Sequence, residues 1–417
     1  MTIKAVPGTR DILPEEIPAW RRIEEAAHRL FARYGYRELR TPVFEETELF
    51  ARGIGGETDI VAKEMYTFED RDGSSLTLRP EATAGIVRSV IENHLFQSDP
   101  ALKVYAMGPM FRRERPQKGR YRQFHQVDVE AFGLQSPQVD AEVVELAVGF
   151  LEACGIAEYE VVLNSVGDPA CRPPYVETLR QALRANLTRL GPDSQRRTET
   201  NPLRVLDSKV PEEQELIAAL PRILEHLCPA CREHFEEVRR QLDLLGIRYR
   251  VDHRLVRGLD YYMRTTFEVT SGALGAQNSL LGGGRYDGLV KELGGPDLGG
   301  IGFAAGMERI VLAMPAREAE RRCDVFLMPL AAAAFDEALR LQRGLRQAGA
   351  RVLLDPEGRS FKSRMKLADK LGARYVAIRG EEEMKKGVWR VRDMAGSTQD
   401  DVAEGRVAQH LEEKLHG

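Results

Sequence analysis

Alternating polar and apolar positions across residues 103–133 predict two β-strands joined by a basic loop. A period of two in the second strand places Gln126, Asp128 and Glu130 on one face and the intervening apolar residues on the other. One face can therefore pack against a core while the opposite face presents a row of hydrogen-bonding groups.

The loop between these strands concentrates positive charge. Residues 112–122 hold six basic side chains against one acid, a local net charge of +5. At the end of the first strand, the same alternation places Arg112 and Glu114 on one face. A loop of this kind on a sheet platform is suited to binding phosphate groups. On patterning alone, the alternative is an exposed hairpin whose charges keep an edge strand soluble.

Helical and strand periods also alternate before this hairpin. Apolar residues at helical spacing predict an amphipathic helix over residues 17–34, and Pro42 interrupts the strand that follows. A turn at Asp72-Gly73 predicts a second hairpin. Pro80 is predicted to open a helix whose first turn contains Glu81. The pattern alone allows two interpretations of this carboxylate: it complements the helix dipole, or it belongs to a binding site.

The regions after the hairpin differ in composition. A helix is predicted over residues 137–153. Residues 170–248 are charged, leucine-rich and helical in period, which predicts a helical insertion that either clamps a large ligand or is a passive spacer. After a charged linker at 316–322, alternating strands and helices predict a small α/β domain with a mostly parallel sheet. Eight basic residues against three acids between residues 351 and 379 predict a basic face there.

Length and charge narrow the classes of protein. The chain has 417 residues, enough for two or three domains, and its net charge is only −4. A nucleic-acid partner must therefore be held by local basic patches. The amino terminus has no apolar run of signal-peptide length, and no later segment reaches the ~18 apolar residues of a membrane span. We therefore expect a soluble, cytoplasmic protein without a membrane partner.

The cysteines raise one metal hypothesis. Five cysteines in a chain of this size do not predict a disulfide framework. Cys228 and Cys231 form a CPAC pair, but the sequence has no second CxxC and no HxxxH spacing. A structural zinc site normally needs four protein ligands. We therefore predict ordinary thiols on a helix and assign no metal-ligating residue.

Four segments resemble motifs of one enzyme family. FRRE followed by RPQKGRYRQFHQVDVE, residues 111–130, resembles the second motif of class II aminoacyl-tRNA synthetases, in the form found in histidyl-tRNA synthetases. RGLDYY, residues 257–262, resembles the histidine-specific signature of that family. GGIGFAAGMERIVLAM, residues 299–314, resembles the third class II motif. The strand around Pro42 resembles the first motif, which in the family lies at a homodimer interface.

This resemblance implies a fold and a reaction. The fold is α/β, with an α+β catalytic core over residues 1–322 that has a mixed, mainly antiparallel sheet and is interrupted by the insertion at 170–248. A three-layer α/β domain over residues 323–417 would bind the anticodon. The reaction is activation of L-histidine by ATP, with Mg²⁺, to histidyl-adenylate, and transfer of histidine to the 3′ end of tRNA(His). The implied partners are ATP, L-histidine, tRNA(His) and a second copy of the chain.

The resemblance also implies roles for individual residues. Arg112 and Arg257 would bracket the α-phosphate as catalytic residues, and Arg309 would hold the γ-phosphate. Glu114 would complete the ATP site. The residues implied for histidine are Glu81, Thr83, Gln126, Glu130, Tyr261 and Tyr262. Those implied for the tRNA acceptor stem are Arg115, Gln117, Lys118, Arg120 and Arg122.

Two other functions compete with this interpretation. The first is a noncatalytic regulatory paralogue that acts as a subunit of ATP phosphoribosyltransferase. Such proteins typically lack the C-terminal domain, and their phosphate-binding arginines are altered. This chain has the C-terminal domain and retains Arg112, Arg257 and Arg309. The second is a class IIa synthetase for proline, threonine or glycine, against which RGLDYY and the Glu130 strand argue.

Overall fold

The computed structural model describes residues 3–416 except 56, 57, 59, 257, 258, 260, 276, 277, 317–320, 356, 358 and 397. The chain divides into two compact units, Met1–Ala316 and Arg317–Gly417, which we call the first and second units. Each unit has its own hydrophobic core. None of the helices in the described part of the chain combines the length and hydrophobicity needed to cross a bilayer.

The first unit combines strands and helices along its whole length. Its strands are β1 Arg37–Glu38, β2 Phe44–Glu46, β3 Tyr66–Glu69, β4 Ser75–Leu78, β5 Lys103–Phe111, β6 Gln123–Phe132, β7 Glu160–Ser165, β8 Tyr249–Val251, β9 Met263–Thr270, β10 Ser279–Arg285 and β11 Gly300–Gly306. Its helices are α1 Ile17–Arg33, α2 Thr47–Ile54, α3 Thr83–Glu92, α4 Leu95–Ser98, α5 Pro137–Ala153, α6 Arg172–Arg184, α7 Pro192–Thr200, α8 Gln214–Ala218, α9 Pro229–Leu244, α10 Leu289–Glu292 and α11 Met307–Ala313.

One large mixed sheet dominates this unit. Its strand order is β1-β5-β6-β11-β10-β9-β7-β8. The strands from β5 to β7 pair antiparallel, and only the β1·β5 and β7·β8 pairings among those described are parallel. The prediction of a mixed, mainly antiparallel sheet is therefore confirmed. A smaller sheet with the order β2-β4-β3 contains the hairpin predicted at Asp72-Gly73.

The core of the first unit is formed by the apolar faces that the sequence predicted for one strand and two helices. The apolar face of β6, including Val127 and Val129, is fully buried against α1 and α5. The rings of Phe31 on α1 and Phe150 on α5 meet with centroids 5.3 Å apart. The helices predicted over 17–34 and 137–153 correspond to α1 and α5. Burying one face of β6 in this core leaves its polar face turned the other way.

The prediction that Pro80 opens a helix is wrong. Helix α3 begins at Thr83. The side chain of Glu81 accepts hydrogen bonds from the backbone N–H groups of Thr83, at 2.7 Å, and Ala84, at 2.9 Å. Because this carboxylate satisfies the first amides of the helix, the regular structure starts three residues later than proline alone would suggest.

The segment predicted as a helical insertion has a core of its own. Helices α6 to α9 and short 3₁₀ turns, including Pro202–Val205, follow one another there. Cys171, Tyr175, Leu179 and other apolar residues form a cluster separate from the main core. The helical character predicted for this region is confirmed.

The second unit consists of alternating strands and helices, followed by two consecutive strands and a final helix. Its strands are β12 Val325–Pro329, β13 Val352–Leu354, β14 Tyr375–Arg379, β15 Val388–Asp393 and β16 Gln399–Ala403, and its helices are α12 Ala332–Gln347, α13 Phe361–Lys370, α14 Glu381–Lys385 and α15 Val407–His416. The sheet order is β13-β12-β14-β15-β16. β13, β12 and β14 are parallel, whereas β15 and β16 extend the sheet antiparallel, which the sequence did not predict.

The basic residues of the second unit are divided between its surface and its interior. Lys362, Lys366 and Lys370 are exposed and recur every four residues, so they share one face of α13. Arg364 and Arg379 are instead buried, and Arg379 forms ion pairs with glutamates. The exposed basic surface is therefore smaller than the count of basic residues suggested.

Candidate active site

A cavity of about 450 Å³ lies on the polar side of the large sheet of the first unit. It contains most of the residues predicted for histidine and ATP. The predicted residues that line it are Glu81, Thr83, Arg112, Glu114, Arg120, Gln126, Glu130, Tyr261, Tyr262 and Arg309. Arg257, the other predicted catalytic residue, lies outside the described residues.

Glu130 of β6 has a defined set of contacts inside this cavity. Its side chain is 2% exposed. Thr83 donates a hydrogen bond to one carboxylate oxygen at 2.7 Å, and the Tyr286 hydroxyl donates to the other. Burial raises the pKa of Glu130 to about 8, although both hydrogen bonds act in the opposite direction. The carboxyl group is therefore poised to change its charge near neutral pH.

Asp128 lies one alternation earlier on the same face of β6 and was not assigned a role from the sequence. It is 1% exposed, and neither carboxylate oxygen has a hydrogen-bond partner among the described residues. Burial, together with the nearby Glu130 and Glu81, raises its pKa well above the usual value. The Oε1 atom of Gln126 also lacks a partner within the described part of the chain. Unpaired buried acceptors on a cavity wall are suited to a ligand that donates hydrogen bonds.

Glu81 combines the two interpretations that its sequence context left open. Its oxygens cap α3, as described above, and it also lines the cavity. Burial raises its pKa, while the hydrogen bonds from Ala84 and Thr83 oppose that shift. Each carboxylate oxygen has a second lone pair. The group can therefore cap the helix and accept a further hydrogen bond from a ligand.

Tyrosines form another wall. The rings of Tyr261 and Tyr262 have centroids 4.8 Å apart, and Tyr261 and Tyr286 are separated by 5.6 Å. Tyr286, like Asp128, was not predicted as a site residue. Its position after the glycine-rich strand β10 gave no chemical signal, and only the fold brings its hydroxyl group to Glu130.

Glycine at position 302 makes room for the acidic residue. Gly302 on β11 is paired with Glu130 on β6. A Cβ atom at this position would collide with the Glu130 carboxylate and with the backbone oxygen of Val129. The third-motif segment therefore begins with a strand, β11, whose Gly302 permits close approach of β6.

Arginines bring positive charge to the same cavity. Arg112 donates a hydrogen bond from Nε to the Pro80 carbonyl at 2.8 Å, and its guanidinium lies 5.2 Å from the centroid of the Phe124 ring. Burial lowers the pKa of Arg112, while Glu64 and Glu81 oppose that change. Backbone and ring contacts thus fix the direction of this guanidinium.

Arg309 is positioned by backbone carbonyls as well. Its Nη1 donates to the Ser279 oxygen at 2.9 Å, and its Nε donates to the Gly119 oxygen at 3.4 Å. Gly119 belongs to the basic loop, and Ser279 begins β10. Arg309 therefore joins the third-motif helix α11 to the loop that follows β5.

The basic loop is divided into inner and outer residues. Arg120 forms an ion pair with the buried Glu114. Arg122 donates from Nη1 to the Pro7 carbonyl at 3.2 Å. The predicted acceptor-stem residues that remain exposed are Arg115, Gln117 and Lys118. The structure thus brings Arg120 to the cavity and leaves those three on the surface.

The predicted insertion also contributes to the cavity wall. Arg204, Asp207 and Lys209 line the cavity, and they follow or belong to the turn at Pro202–Val205. These residues were not predicted from the sequence. A charged, helical segment gave no indication of which of its side chains would face the site.

Comparison with known proteins identifies the family. The family profile described as Histidyl-tRNA synthetase matches residues 8–310, and the profile described as Anticodon binding domain matches residues 324–414. The chain belongs to the histidyl-tRNA synthetase family. Its predicted membership of this family and its predicted class, an aminoacyl-tRNA ligase, are confirmed.

Individual relatives support this assignment over the full length. The histidine–tRNA ligase of Solibacter usitatus is 53% identical over 98% of this chain and 99% of the relative. That of Syntrophotalea carbinolica is 49% identical over the whole of both chains. The crystal structure of apo S. aureus histidyl-tRNA synthetase has a TM-score of 0.82 at 37% identity and covers 99% of this chain and 100% of its own. The α/β fold class is confirmed, and the regulatory-paralogue alternative is not favoured.

Proposed function

We propose that the cavity binds L-histidine at its carboxylate-lined end and ATP at its arginine-lined end, and that it catalyses formation of histidyl-adenylate and then of histidyl-tRNA(His). The observation that carries this proposal is that buried carboxylates and guanidinium groups held by backbone carbonyls line one cavity. Glu81, Asp128 and Glu130 are buried, whereas Arg112 and Arg309 lie at the wall beside the basic loop. Histidine presents a cationic ammonium group, and ATP presents a polyanion.

The carboxylate end selects the amino acid. Glu130 accepts the N–H of the imidazole ring, and Tyr262 lies beside that ring. Gln126 and Asp128 supply the unpaired acceptors described above, and with Glu81 they accept hydrogen bonds from the ammonium group. A pocket built to hydrogen-bond a substrate rejects analogues that lack the group, by factors of up to ~10⁴ to 10⁵.

The arginine end promotes transfer of the adenylyl group. The histidine carboxylate oxygen attacks the α-phosphorus, the bond from that phosphorus to the bridging oxygen breaks, and pyrophosphate leaves with the electron pair. Negative charge increases on phosphate oxygens during this step, so positioned guanidinium groups lower its barrier. Arg112 serves the α-phosphate and Arg309 the γ-phosphate, while the assignment of Arg257 to the α-phosphate rests on its sequence motif.

Mg²⁺ fits the donor set of the cavity. Glu268 of β9 lines the wall and offers carboxylate oxygens, which are the donors that Mg²⁺ prefers. The ion would supply positive charge to the triphosphate of ATP.

Transfer to tRNA uses the outer surface. A ribose hydroxyl at the tRNA 3′ end attacks the carbonyl carbon of histidyl-adenylate, and AMP leaves. Arg115, Gln117 and Lys118 are exposed on the loop next to the cavity and contact the acceptor stem. The lysine face of α13 in the second unit contacts the anticodon region, in keeping with its match to an anticodon-binding family.

Two further properties belong to the same proposal. The chain acts in the cytoplasm as a homodimer. Phe44 on β2 and Phe68 on β3, with Val43 beside them, are 49%, 44% and 39% exposed. Apolar side chains of this size on the small sheet around Pro42 support a protein interface there.

Pyrophosphate exchange tests the proposed function. We expect exchange of labelled pyrophosphate into ATP with histidine, but not with proline, threonine or glycine, and transfer of labelled histidine only when tRNA(His) is added. Exchange with one of the other three amino acids would assign a different synthetase. Absence of exchange with every amino acid, in a folded and ATP-binding preparation, would restore the regulatory alternative.

A further inference from the structure

Four potential metal ligands meet at the base of the predicted insertion. The ligand atoms of Asp168, Cys171, Cys228 and Cys231 all lie within 4.8 Å of one another. Asp168 and Cys171 immediately precede α6, whereas Cys228 precedes α9 and Cys231 lies in its first turn. The sequence shows no second CxxC and no HxxxH spacing, but the fold brings a D-x-x-C segment to the CPAC pair.

We propose that these four residues bind one structural Zn²⁺ ion. In a tetrahedral site with Zn–S of ~2.3 Å and Zn–O of ~2.0 Å, neighbouring sulfur and oxygen atoms are about 3.5 Å apart. Here the Asp168 Oδ1 atom lies 3.4 Å from the Cys171 Sγ atom and 3.8 Å from the Cys228 Sγ atom. Three thiolates and one carboxylate in this arrangement favour Zn²⁺ over Mg²⁺ or Ca²⁺.

The surrounding backbone supports such a site. The N–H groups of Ala170 and Cys171 donate to Asp168 Oδ1 at 3.0 and 3.3 Å, which orients the carboxylate. Gly167 has a φ of +68°, and a Cβ atom there would lie 2.8 Å from the Cys171 sulfur. All three cysteines are free thiols rather than members of a disulfide. Cys228 and Asp168 are half-buried, which gives an ion a path to the two buried sulfurs.

The position of the site indicates its role. Its ligands flank the segment that contains α6, α7 and α8, so one ion would join the two ends of that segment. Cross-linking distant parts of the chain stabilises the folded state by reducing the entropy of the unfolded chain. The ligand segment is also joined to the cavity wall, since Arg172 donates to the Tyr262 carbonyl at 2.5 Å and Arg264 N–H donates to the Gly167 oxygen at 2.7 Å. The ion therefore fastens the insertion to residues 262–264, which include Tyr262 of the tyrosine wall and the start of β9.

Metal analysis of the full chain tests the proposal directly. We expect about one zinc per chain after purification without chelator and dialysis against metal-free buffer. Replacement by Co²⁺ should give a tetrahedral visible spectrum with thiolate-to-metal charge-transfer absorption. A wild-type protein that contains no zinc and takes up none from added Zn²⁺, or one whose Cys171 and Cys231 are joined in a disulfide, would overturn the proposal.

Variants distinguish loss of a zinc ligand from a general effect of replacing a cysteine. We expect Cys228→Ser to lose zinc, Asp168→Cys to keep it, and the matched control Cys154→Ser, a buried thiol away from the cluster, to keep it. Because the serine variant could fail to fold, hydrogen exchange is also compared in wild-type protein before and after chelation. Faster exchange in α6 and α9 but not in β6, reversed by added Zn²⁺, supports the structural role. Unchanged exchange after complete zinc removal contradicts it.

Discussion

The two ends of the cavity are built in different ways. At the carboxylate end, Asp128 and Glu130 are alternate residues of a central strand, β6, whose other face is in the main core, and Glu81 precedes α3. The arginine end is formed by a loop and a helix, and its guanidinium groups are held by backbone carbonyls from distant segments. Strand geometry thus fixes the acids by pairing, whereas the arginines depend on individual contacts. The comparison predicts different consequences of mutation at each end.

The largest effect is expected at the arginine end. Arg112→Ala should reduce the rate of adenylate formation by roughly 10² or more, because it removes a positioned charge that acts in the transition state. The measurement is single-turnover adenylate formation at saturating histidine and ATP. Arg113→Ala is the matched control, since that side chain is exposed and does not line the cavity. Equal loss in both variants would remove the special role of Arg112.

At the carboxylate end the expected effect is on binding. Glu130→Gln should raise the KM for histidine roughly 10- to 100-fold, in line with loss of a hydrogen bond to a charged group worth ~1.5–3 kcal/mol. The KM for ATP should change little, and it serves as the internal control in the same pyrophosphate-exchange assay. Parallel increases in both KM values would place Glu130 outside the histidine pocket.

The pH dependence of histidine binding sharpens this assignment. Since the pKa of Glu130 is raised to about 8, its carboxylate form increases as the pH rises towards 8, and the KM for histidine should fall over that range. Above pH 8 this dependence should level off. Titration of free histidine affects wild type and Glu130→Gln alike, so the ratio of their KM values isolates the residue. A ratio that does not vary between pH 6 and 8 would contradict the prediction.

Asp128 should show opposite effects on stability and binding. The pKa of Asp128 is raised by burial, because its charged form is poorly solvated in the folded protein. The folded state therefore loses stability as the pH rises from the pKa of this group in the unfolded chain to its pKa in the folded protein. Asp128→Asn should therefore raise the Tm, by more at pH 8 than at pH 5, and raise the KM for histidine a few-fold. Calorimetry at both pH values checks the first part. A lower Tm at pH 8 would show that the charge is compensated in the folded protein.

The smallest effect is expected on the outer loop. Lys118→Ala should weaken tRNA binding a few-fold. The slope of log affinity against log salt concentration should fall by about one, as expected for the loss of one phosphate contact. Pyrophosphate exchange, which does not require tRNA, should not change. Affinity measured over a range of salt concentrations tests this. An unchanged salt slope would remove Lys118 from the acceptor-stem surface.

Local patterns in the amino-acid sequence were enough to predict the periodic elements and the faces that they present. The alternation of β6 already separated Gln126, Asp128 and Glu130 from the core, and family motifs pointed to the arginines. Such patterns are local, because a strand repeats every two residues wherever it lies in a fold.

Contacts between residues far apart in the sequence became known from the fold alone. Tyr286 reaches Glu130 through the pairing of three strands, and Asp168 reaches the CPAC pair because α6 and α9 begin side by side. The hydrophobic periodicity of a single element does not predict contacts between elements far apart in the sequence. Burial is likewise a property of the assembled fold, and it is burial that raises the pKa of Glu130 to about 8.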